Sequence, residues 1–209
     1  AILKGQARVV RSNSVTDTTG ADTSASHTEA VVFNQYDSVA RLIEEAANGD
    51  RTLGRSVTTG HDAFNFNTFE TVTEDRYSVI KGQARVAVSH SETDTLGADS
   101  SGSHTEAEVA NTYDSVARIT AAAGSSQTAG SDAFRFNAFT TATTDTYAII
   151  KGQARVVSSV SQTHTEGADT SFSDTNATVS NSYDAVARLI AAAGSSQTAG
   201  SDAFRFNAF

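Results

Sequence analysis

The sequence lacks cysteine, proline, methionine and tryptophan altogether across its 209 residues. Without cysteine the chain has neither disulfides nor thiolate chemistry, so hydrogen bonds and packing have to stabilise it. Proline usually makes up about 5% of a sequence, so its absence is a strong compositional bias. Ala, Ser and Thr together account for about two fifths of the residues. This composition fits a large β-sheet assembly.

Positive charge and long apolar runs are also scarce. The formal net charge is -9, and lysine occurs only as Lys4, Lys81 and Lys151. Phosphate binding needs clustered Lys and Arg, so a nucleic-acid partner is not expected. No run of 18 apolar residues occurs, so we predict no membrane span. The first residue is Ala1 and no signal-like segment follows it, so we do not interpret it as a translation start.

The chain contains three copies of one unit. The word "KGQARV" begins at Lys4, Lys81 and Lys151 and sets a period of 70 residues, with 7 extra residues in the first copy. We assign repeat 1 to residues 1–76, with the insertion near 44–61, repeat 2 to 77–146 and repeat 3 to 147–209. Repeat 3 ends about 8 residues short of the register. We expect either a window on a longer array or a subunit that joins another head to tail.

Matching between the copies is confined to alternate positions over long stretches. Side chains in a β-strand alternate between the two faces of a sheet, so such matching indicates one common sheet face. We predict that this face packs in an assembly and is more buried there than the varied opposite face. Its predicted residues are Ser12, Ser14, Thr16, Ser24, Ser26, Thr28, Ser89, Ser91, Thr93, Ser101, Ser103, Thr105, Ser159, Ser161, Thr163, Ser171, Ser173 and Thr175.

The glycine and aspartate of "GAD" indicate a hairpin turn of about five residues between the two strands of each copy. Pairing Thr18 with Ser24 places Ser12 beside Ala30.

The matching at alternate positions also continues through the segments between the copies, which predicts strands shared between successive units. We expect Phe69–Thr95 and Phe139–Thr165 to run from one sheet into the next without a reversing turn, with Gly82 and Gly152 as bulges or close approaches. The predicted inter-unit residues are Phe69, Thr71, Thr73, Tyr77, Phe139, Thr141, Thr143 and Tyr147. Ile2–Val10 would then hydrogen-bond into the sheet of a neighbouring molecule.

The segments 36–47, 113–123 and 183–193 are predicted to be helices. Apolar residues recur at helical spacing, Asp and Arg lie four residues apart, and glycine follows each segment. The helices would pack on Phe64, Phe66 and Phe69. Strand is the alternative, because alternate matching continues into these segments. The expected fold is a β-rich α+β tandem repeat of three β-β-α-β units, each of about 70 residues with long antiparallel hairpins and one short helix.

No motif predicts catalysis, a cofactor or a metal. No histidine recurs in all three copies, which argues against a catalytic triad. One aspartate per turn, at Asp22, Asp99 and Asp169, is too few for a calcium shell and favours turn capping. The single glycosylation sequon, Asn176–Thr178, leaves glycans possible.

The Ser/Thr face is the feature that most needs a function. It resembles the T-x-T arrays of ice-binding solenoids, and also the closely packed small-residue faces of silk and steric zippers. In composition and repetition the chain is similar to secreted microbial repeat proteins. We therefore expect a structural subunit of an extracellular or cell-surface filament with helical symmetry, joined head to tail to copies of itself by β-strand complementation. The alternative is a secreted adhesin repeat or a module that binds ice, glycan or calcium on this face.

Overall fold

The computed structural model describes residues 1–203, which form one antiparallel sheet of 11 strands and two small two-stranded hairpins. The first half contains β1 (Ile2–Leu3), β2 (Gln6–Ala7), β3 (Arg11–Thr19), β4 (Ala25–Phe33), β5 (Gln35–Tyr36), β6 (Leu42–Ile43), β7 (Leu53–His61) and β8 (Asn67–Ile80). The second half contains β9 (Gln83–Gly97), β10 (Gly102–Tyr113), β11 (Ile119–Ser131), β12 (Asn137–Ile150), β13 (Gln153–Gly167), β14 (Phe172–Tyr183) and β15 (Leu189–Ser201). Short 3-10 turns at Ala63–Asn65 and Ala133–Arg135 connect β7 to β8 and β11 to β12.

The large sheet is a simple meander. Its order is β15-β14-β13-β12-β11-β10-β9-β8-β7-β4-β3, so its strands follow one another in chain order, with only the separate β5–β6 hairpin between β4 and β7. β1 pairs with β2, and β5 with β6. The predicted α+β fold of β-β-α-β units is therefore wrong, because the described residues contain no α-helix.

Each predicted helix is instead a hairpin turn between two strands. Tyr113 ends β10, Ile119 begins β11, and the residues between them form a tight turn. The Asp114 carboxylate accepts hydrogen bonds from the backbone N–H groups of Val116 and Arg118, both at 2.9 Å, and from Arg118 Nε at 2.7 Å. The four-residue Asp–Arg spacing thus serves turn capping, and strand pairing overrides helix propensity. The helix prediction is wrong for 36–47, 113–123 and 183–193.

The long shared strands are also absent. β8 and β9 are joined by a two-residue turn at Lys81 and Gly82, whose φ angles of 51° and 78° are both left-handed, as a type I′ turn requires. Lys151 and Gly152 repeat this turn with φ of 53° and 74°. The predicted continuous strands Phe69–Thr95 and Phe139–Thr165 are therefore hairpins. Ile2 pairs with Ala7 inside a small hairpin, and the pairing of Ile2–Val10 with a neighbouring molecule stays a prediction.

A β-bulge explains why the alternate matching of the copies did not reveal the turn. After a two-residue turn, the face that carried odd-numbered residues in the first strand would carry even-numbered residues in the second. In this hairpin the register shifts back between Arg76 and Tyr77, since Arg76 pairs with Val88 but Tyr77 pairs with Val86. The two shifts cancel, so matched positions stay on one face before and after the turn.

The first hairpin pairs two residues away from the expected register. Thr18 lies opposite Ser26 rather than Ser24, and Ser12 lies opposite Val32 rather than Ala30. A shift of two keeps every side chain on its face, so the division into faces is unaffected. Ser24 lies in the turn, where its hydroxyl donates to Asp22 at 2.7 Å. Ser101 and Ser171 occupy the same turn position and donate their backbone N–H groups to Asp99 and Asp169.

Each 70-residue period corresponds to four strands. In the second period these are β9, β10, β11 and β12. The seven extra residues of the first copy extend the connection from β6 to β7, where Glu45 and Arg51 form an isolated bridge and an ion pair.

The sheet is a single layer with almost no core. Within residues 1–203 the buried apolar side chains are Ala40, Ala117 and Ala187, all in turns. The accessible surface is 13168 Å², whereas a compact chain of this mass exposes about 9,300 Å². Both faces of the sheet are therefore largely uncovered in the single chain.

Close packing on one face occurs where an aromatic ring covers a glycine in the neighbouring strand. Phe139 lies opposite Gly130, and Phe69 lies opposite Gly60. A Cβ at Gly130 would lie 2.7 Å from both Phe139 Cζ and the carbonyl oxygen of Gly102, which is a clash.

We expect Gly130→Ala to lower the free energy of unfolding by about 1–3 kcal/mol, because the ring and the strand have to move apart. Gly194→Ala is the matched control, since a Cβ there meets nothing closer than 3.6 Å. Urea unfolding followed by circular dichroism measures both. Equal stability of the two variants would contradict the proposed ring-over-glycine packing.

Candidate assembly surface

One row of threonines crosses the entire sheet. Each strand of the sheet contributes one threonine, and each lies directly opposite the next. The row comprises Thr16, Thr28, Thr58, Thr71, Thr93, Thr105, Thr128, Thr141, Thr163, Thr175 and Thr198. Neighbouring members are spaced by the strand separation of about 4.8 Å. We call the side of the sheet that carries this row the Ser/Thr face.

The hydroxyl groups of the row bond to each other in pairs. The Oγ1–Oγ1 distance is 2.9–3.0 Å in Thr28–Thr58, Thr71–Thr93, Thr105–Thr128, Thr141–Thr163 and Thr175–Thr198. Each of these hydroxyls already has a partner, so removing the row from water costs less than it would for free hydroxyls. The row is therefore suited to a dry contact.

Three further rows of side chains run parallel to the threonine row on the same face, and their side chains are mostly small and uncharged. One row consists of Ser, Ala and Thr, the next of Ser, Val, Gly and Asp, and the third of Thr, Ser, Gly and Phe. Across these four rows the only charged side chains in the described strands are Asp75 and Asp145.

The opposite side of the sheet, which we call the varied face, is acidic. Its three central rows hold a single arginine, Arg55, within the described strands. They also hold nine carboxylates, namely Asp17, Glu29, Glu70, Glu74, Glu92, Asp94, Glu106, Glu108 and Asp174. Two varied faces would repel each other, whereas two Ser/Thr faces would not.

The structure puts most of the predicted packing residues on the Ser/Thr face. The exceptions are Ser24, Ser101 and Ser171, which lie in turns. In the second copy Ser89, Ser91, Thr93, Ser103 and Thr105 are half-buried, while Glu92, His104 and Glu106 are exposed and His90 is half-buried. The burial predicted for this face concerns an assembly and stays a prediction.

The predicted inter-unit residues divide into two groups. Phe69, Thr71 and Thr73 lie in three adjacent rows of the Ser/Thr face, as do Phe139, Thr141 and Thr143 in the next copy. Tyr77 and Tyr147 follow the bulges, where their hydroxyls would lie 3.0 Å from a Cβ at Gly54 or Gly124. None of them joins successive sheets by a continuous strand.

Sequence reasoning missed a cross-strand His–Asp pair that all three copies share. His27 Nδ1 lies 2.6 Å from Asp17, and His104 Nδ1 lies 2.7 Å from Asp94. In the third copy the residues are exchanged, with His164 on the first strand and Asp174 on the second, again at 2.7 Å. Position-by-position comparison of the copies hides such an exchange, and only comparison of paired strands reveals it. All three copies therefore keep a histidine opposite an aspartate, although the strand that carries each residue changes.

We expect exchange of the pair in the third copy to be tolerated. His164→Asp alone places two carboxylates opposite each other, and Asp174→His alone places two imidazoles there, so each lowers the thermal unfolding midpoint. The double variant recovers the orientation of the other two copies and therefore most of the midpoint. A thermal melt of all four proteins gives the coupling. Additive losses in the double variant would show that the residues do not interact.

Protonation is expected to change stability at two different pH values. Hydrogen bonds to Asp17 and Asp94 raise the pKa of His27 and His104 above 6.5, so their contribution is complete below pH 6.5 and is lost as pH rises through the raised values. Hydrogen bonds from the turns lower the pKa of the turn aspartates below 3.8, as at Asp114 and Asp132, so their contribution is lost as pH falls through the lowered values.

Thermal midpoints measured from pH 2 to 9 should therefore be highest between about 4 and 6.5. A maximum above pH 8 would contradict the raised pKa values of His27 and His104.

A cavity of about 1110 Å³ lies near one end of the sheet and is lined by residues from β3 to β11. The pairs His27–Asp17 and His104–Asp94 both line it, together with Phe69 and Leu96. No group of three or more metal-binding side chains is present in the part of the chain described. Nor do residues 1–203 contain a helix long and apolar enough to cross a bilayer.

No protein-family model matches the chain, and the search of curated proteins also found no match.

Proposed function

We propose that the protein is a structural subunit of an extracellular or cell-surface filament or fibre, which associates with copies of itself through its Ser/Thr face and through the edges of its sheet. The observation that carries this proposal is the single-layer architecture, in which an 11-stranded sheet has only three buried apolar side chains among residues 1–203. A sheet normally gains its stability by burying one face against another layer. Among residues 1–203 no second layer covers either face, so we propose that another copy of the chain supplies it.

The chemistry of the two faces favours the Ser/Thr face as the one that is covered. The Ser/Thr face carries small, nearly uncharged side chains, and its threonine hydroxyls are hydrogen-bonded to each other across every second strand pair. Two such faces would stack at about 10 Å, the usual face-to-face spacing of packed sheets. The varied face keeps its carboxylates in water, which maintains solubility of the assembly.

The edges of the sheet give a second mode of association. Among residues 1–203 β3 pairs with β4 alone, and we propose that a strand of another copy pairs along its nine residues. Such an edge accepts a further strand from another chain. This is strand complementation between hairpin meanders, not the continuous shared strand expected from the sequence.

A binding module is the second candidate. The regular row of eleven hydroxyl-bearing threonines favours it, because a repeated array at fixed spacing suits a repeated ligand such as ice or a glycan. The pairing of these hydroxyls with each other favours dry packing instead. Calorimetry with calcium and an ice-recrystallisation assay test this candidate. We propose no enzymatic role.

Sedimentation velocity from 1 to 100 µM, followed by negative-stain electron microscopy, tests the structural role. We expect association that increases with concentration, and particles of regular width. A folded monomer at 100 µM that forms no particles would overturn the proposal.

A further inference from the structure

The two ends of the sheet carry opposite charge. All turns after β3, β7, β9, β11 and β13 lie at one end, which we call the acidic end. Each contains an aspartate held by hydrogen bonds from its own turn, namely Asp22, Asp62, Asp99, Asp132 and Asp169. Arg135 is the cationic side chain among these turns. Because the turns donate to these carboxylates, the aspartates stay ionised at neutral pH.

The other end, which we call the basic end, holds most of the cations. These are Lys4, Arg8, Arg41, Lys81, Arg85, Arg118, Lys151, Arg155 and Arg188, out of 15 lysines and arginines in the chain. Arg41, Arg118 and Arg188 pair with turn aspartates at 2.7 Å. The other six form no ion pair with any described residue. The insertion adds Glu44, Glu45 and Asp50 at this end, where Arg51 pairs with Glu45.

Exposed phenylalanine pairs project from the acidic end. Phe64 is 79% exposed and Phe134 is 81% exposed, and each lies about 6 Å from a second exposed ring, Phe66 or Phe136. The pairs are 70 residues apart in sequence and four strands apart in the sheet, which is about 19 Å. Large exposed aromatic side chains that recur at one end of a molecule mark an interaction surface.

The backbone that presents these rings is strained in both copies. Phe64 and Phe134 have φ of 79° and 67°, in the left-handed region that bulky residues avoid. In the first copy Asp62 holds the turn by accepting the backbone N–H groups of Phe66 at 2.8 Å and Asn67 at 3.0 Å. Both copies keep this strained backbone although the rings are exposed. Because burial of the rings does not explain the strain, we infer that it serves a function.

The basic end contains a hollow that fits such a pair. It has a volume of about 590 Å³ and is lined by Tyr36, Leu42 and Val79 beside the cationic side chains of Arg8 and Lys81. The Arg8 guanidinium lies 5.7 Å from the Tyr36 ring, and its Nε is buried without a hydrogen-bond partner. Aromatic rings and cations attract each other, so a phenylalanine ring is a favourable occupant.

We propose that copies of the chain dock end to end along the strand direction, with the acidic end of one copy seated on the basic end of the next and one phenylalanine pair entering the basic-end hollow. This inference rests on the proposed structural function and names a surface for it. The charged turns of both ends repeat every four strands, so several charge contacts can form in one register with the ring contact at the hollow. The two surfaces differ and lie at opposite ends, which makes the contact heterologous and open-ended.

Cross-linking between single-cysteine variants tests the contact directly, because the chain has no cysteine of its own. Ala98→Cys lies in a turn of the acidic end, and Ser115→Cys in a turn of the basic end; both positions are exposed. A mixture treated with a short bis-maleimide should give the mixed Ala98→Cys/Ser115→Cys product at least tenfold above the self-product of Ala98→Cys. Equal yields of the two products would overturn the proposal.

Removal of the rings should reduce the mixed product. In the Phe64→Asn/Phe134→Asn double variant, asparagine accepts the left-handed backbone better than phenylalanine, so the fold should be retained. We expect at least a tenfold loss of the mixed product, and a similar loss in 1 M NaCl because salt screens the opposite charges. Val15→Asn, an exposed apolar residue on an edge strand, is the matched control and should leave the yield unchanged. An undiminished yield in the double variant would refute the role of the rings.

Failure of this inference is distinguishable from failure of the structural function. If the wild-type chain associates in sedimentation while the mixed product is absent, association proceeds through faces and edges alone and the end contact is wrong. If the wild-type chain remains a monomer, both proposals fail.

Discussion

Thr128→Lys is expected to prevent association of the sheets, whereas Gln127→Lys, one residue earlier in β11, is expected to leave it intact. Thr128 is half-buried in the centre of the threonine row, and Gln127 is exposed on the opposite face. A lysine at 128 would be buried between two nearly uncharged faces, with only threonines directly opposite it. Burial of an unpaired charge costs several kcal/mol, so association should weaken by about 100-fold or more.

The two variants form a matched pair because they add the same charge to the same strand. Circular dichroism should give the same strand content for both, since either lysine reaches water in the single sheet. Sedimentation velocity then separates them. If Gln127→Lys dissociates the protein and Thr128→Lys does not, the acidic face is the buried one and the assignment of the Ser/Thr face is wrong.

Strands and their faces could be predicted from the sequence because the repeat supplies its own comparison. Alternate matching at Ser89, Ser91 and Thr93 against Ser159, Ser161 and Thr163 identifies one face, and the structure places all six on it. The reason is geometric, since the side-chain period of a strand is two. A register error of two residues leaves that conclusion unchanged.

The connections could not be predicted because their local signals are ambiguous. The segment "YDSVAR" has helical spacing and an Asp–Arg pair four residues apart, yet the same carboxylate caps a tight turn equally well. The turn at Lys81 and Gly82 lacks the Asn-Gly or Asp-Gly sequence that usually identifies a type I′ turn. Its parity change is then cancelled by the bulge at Arg76 and Tyr77. Pairing across the sheet, which local sequence does not encode, decided both cases.

The sequence predicted a Ser/Thr face but not that its threonine row crosses every strand of the sheet. A Ser/Thr face was expected within each hairpin, but Thr58, Thr128 and Thr198 of the continuous row fall in strands that had not been assigned to it. The strand order has to be known before such a row can be seen. The same holds for the His–Asp pair, whose members are ten residues apart and change places in the third copy.

The unfolding midpoint of the wild-type protein should fall steeply on dilution. A single layer with a core of three alanines among residues 1–203 has little stability of its own, so most of the free energy of unfolding comes from contacts with other copies. Linkage between folding and association then makes the midpoint depend on concentration. A 1,000-fold change in the concentration of a free binding partner corresponds to about 4 kcal/mol per site.

Urea unfolding at protein concentrations from 0.1 to 100 µM, followed by tyrosine fluorescence, measures this dependence. Thr128→Lys is the reference, because a variant that does not associate should unfold at the same low midpoint at every concentration. Gln127→Lys should follow the wild-type curve. A wild-type midpoint that stays constant over this range, together with high stability at 0.1 µM, would mean that the single sheet is stable alone. Self-association would then not follow from the missing core.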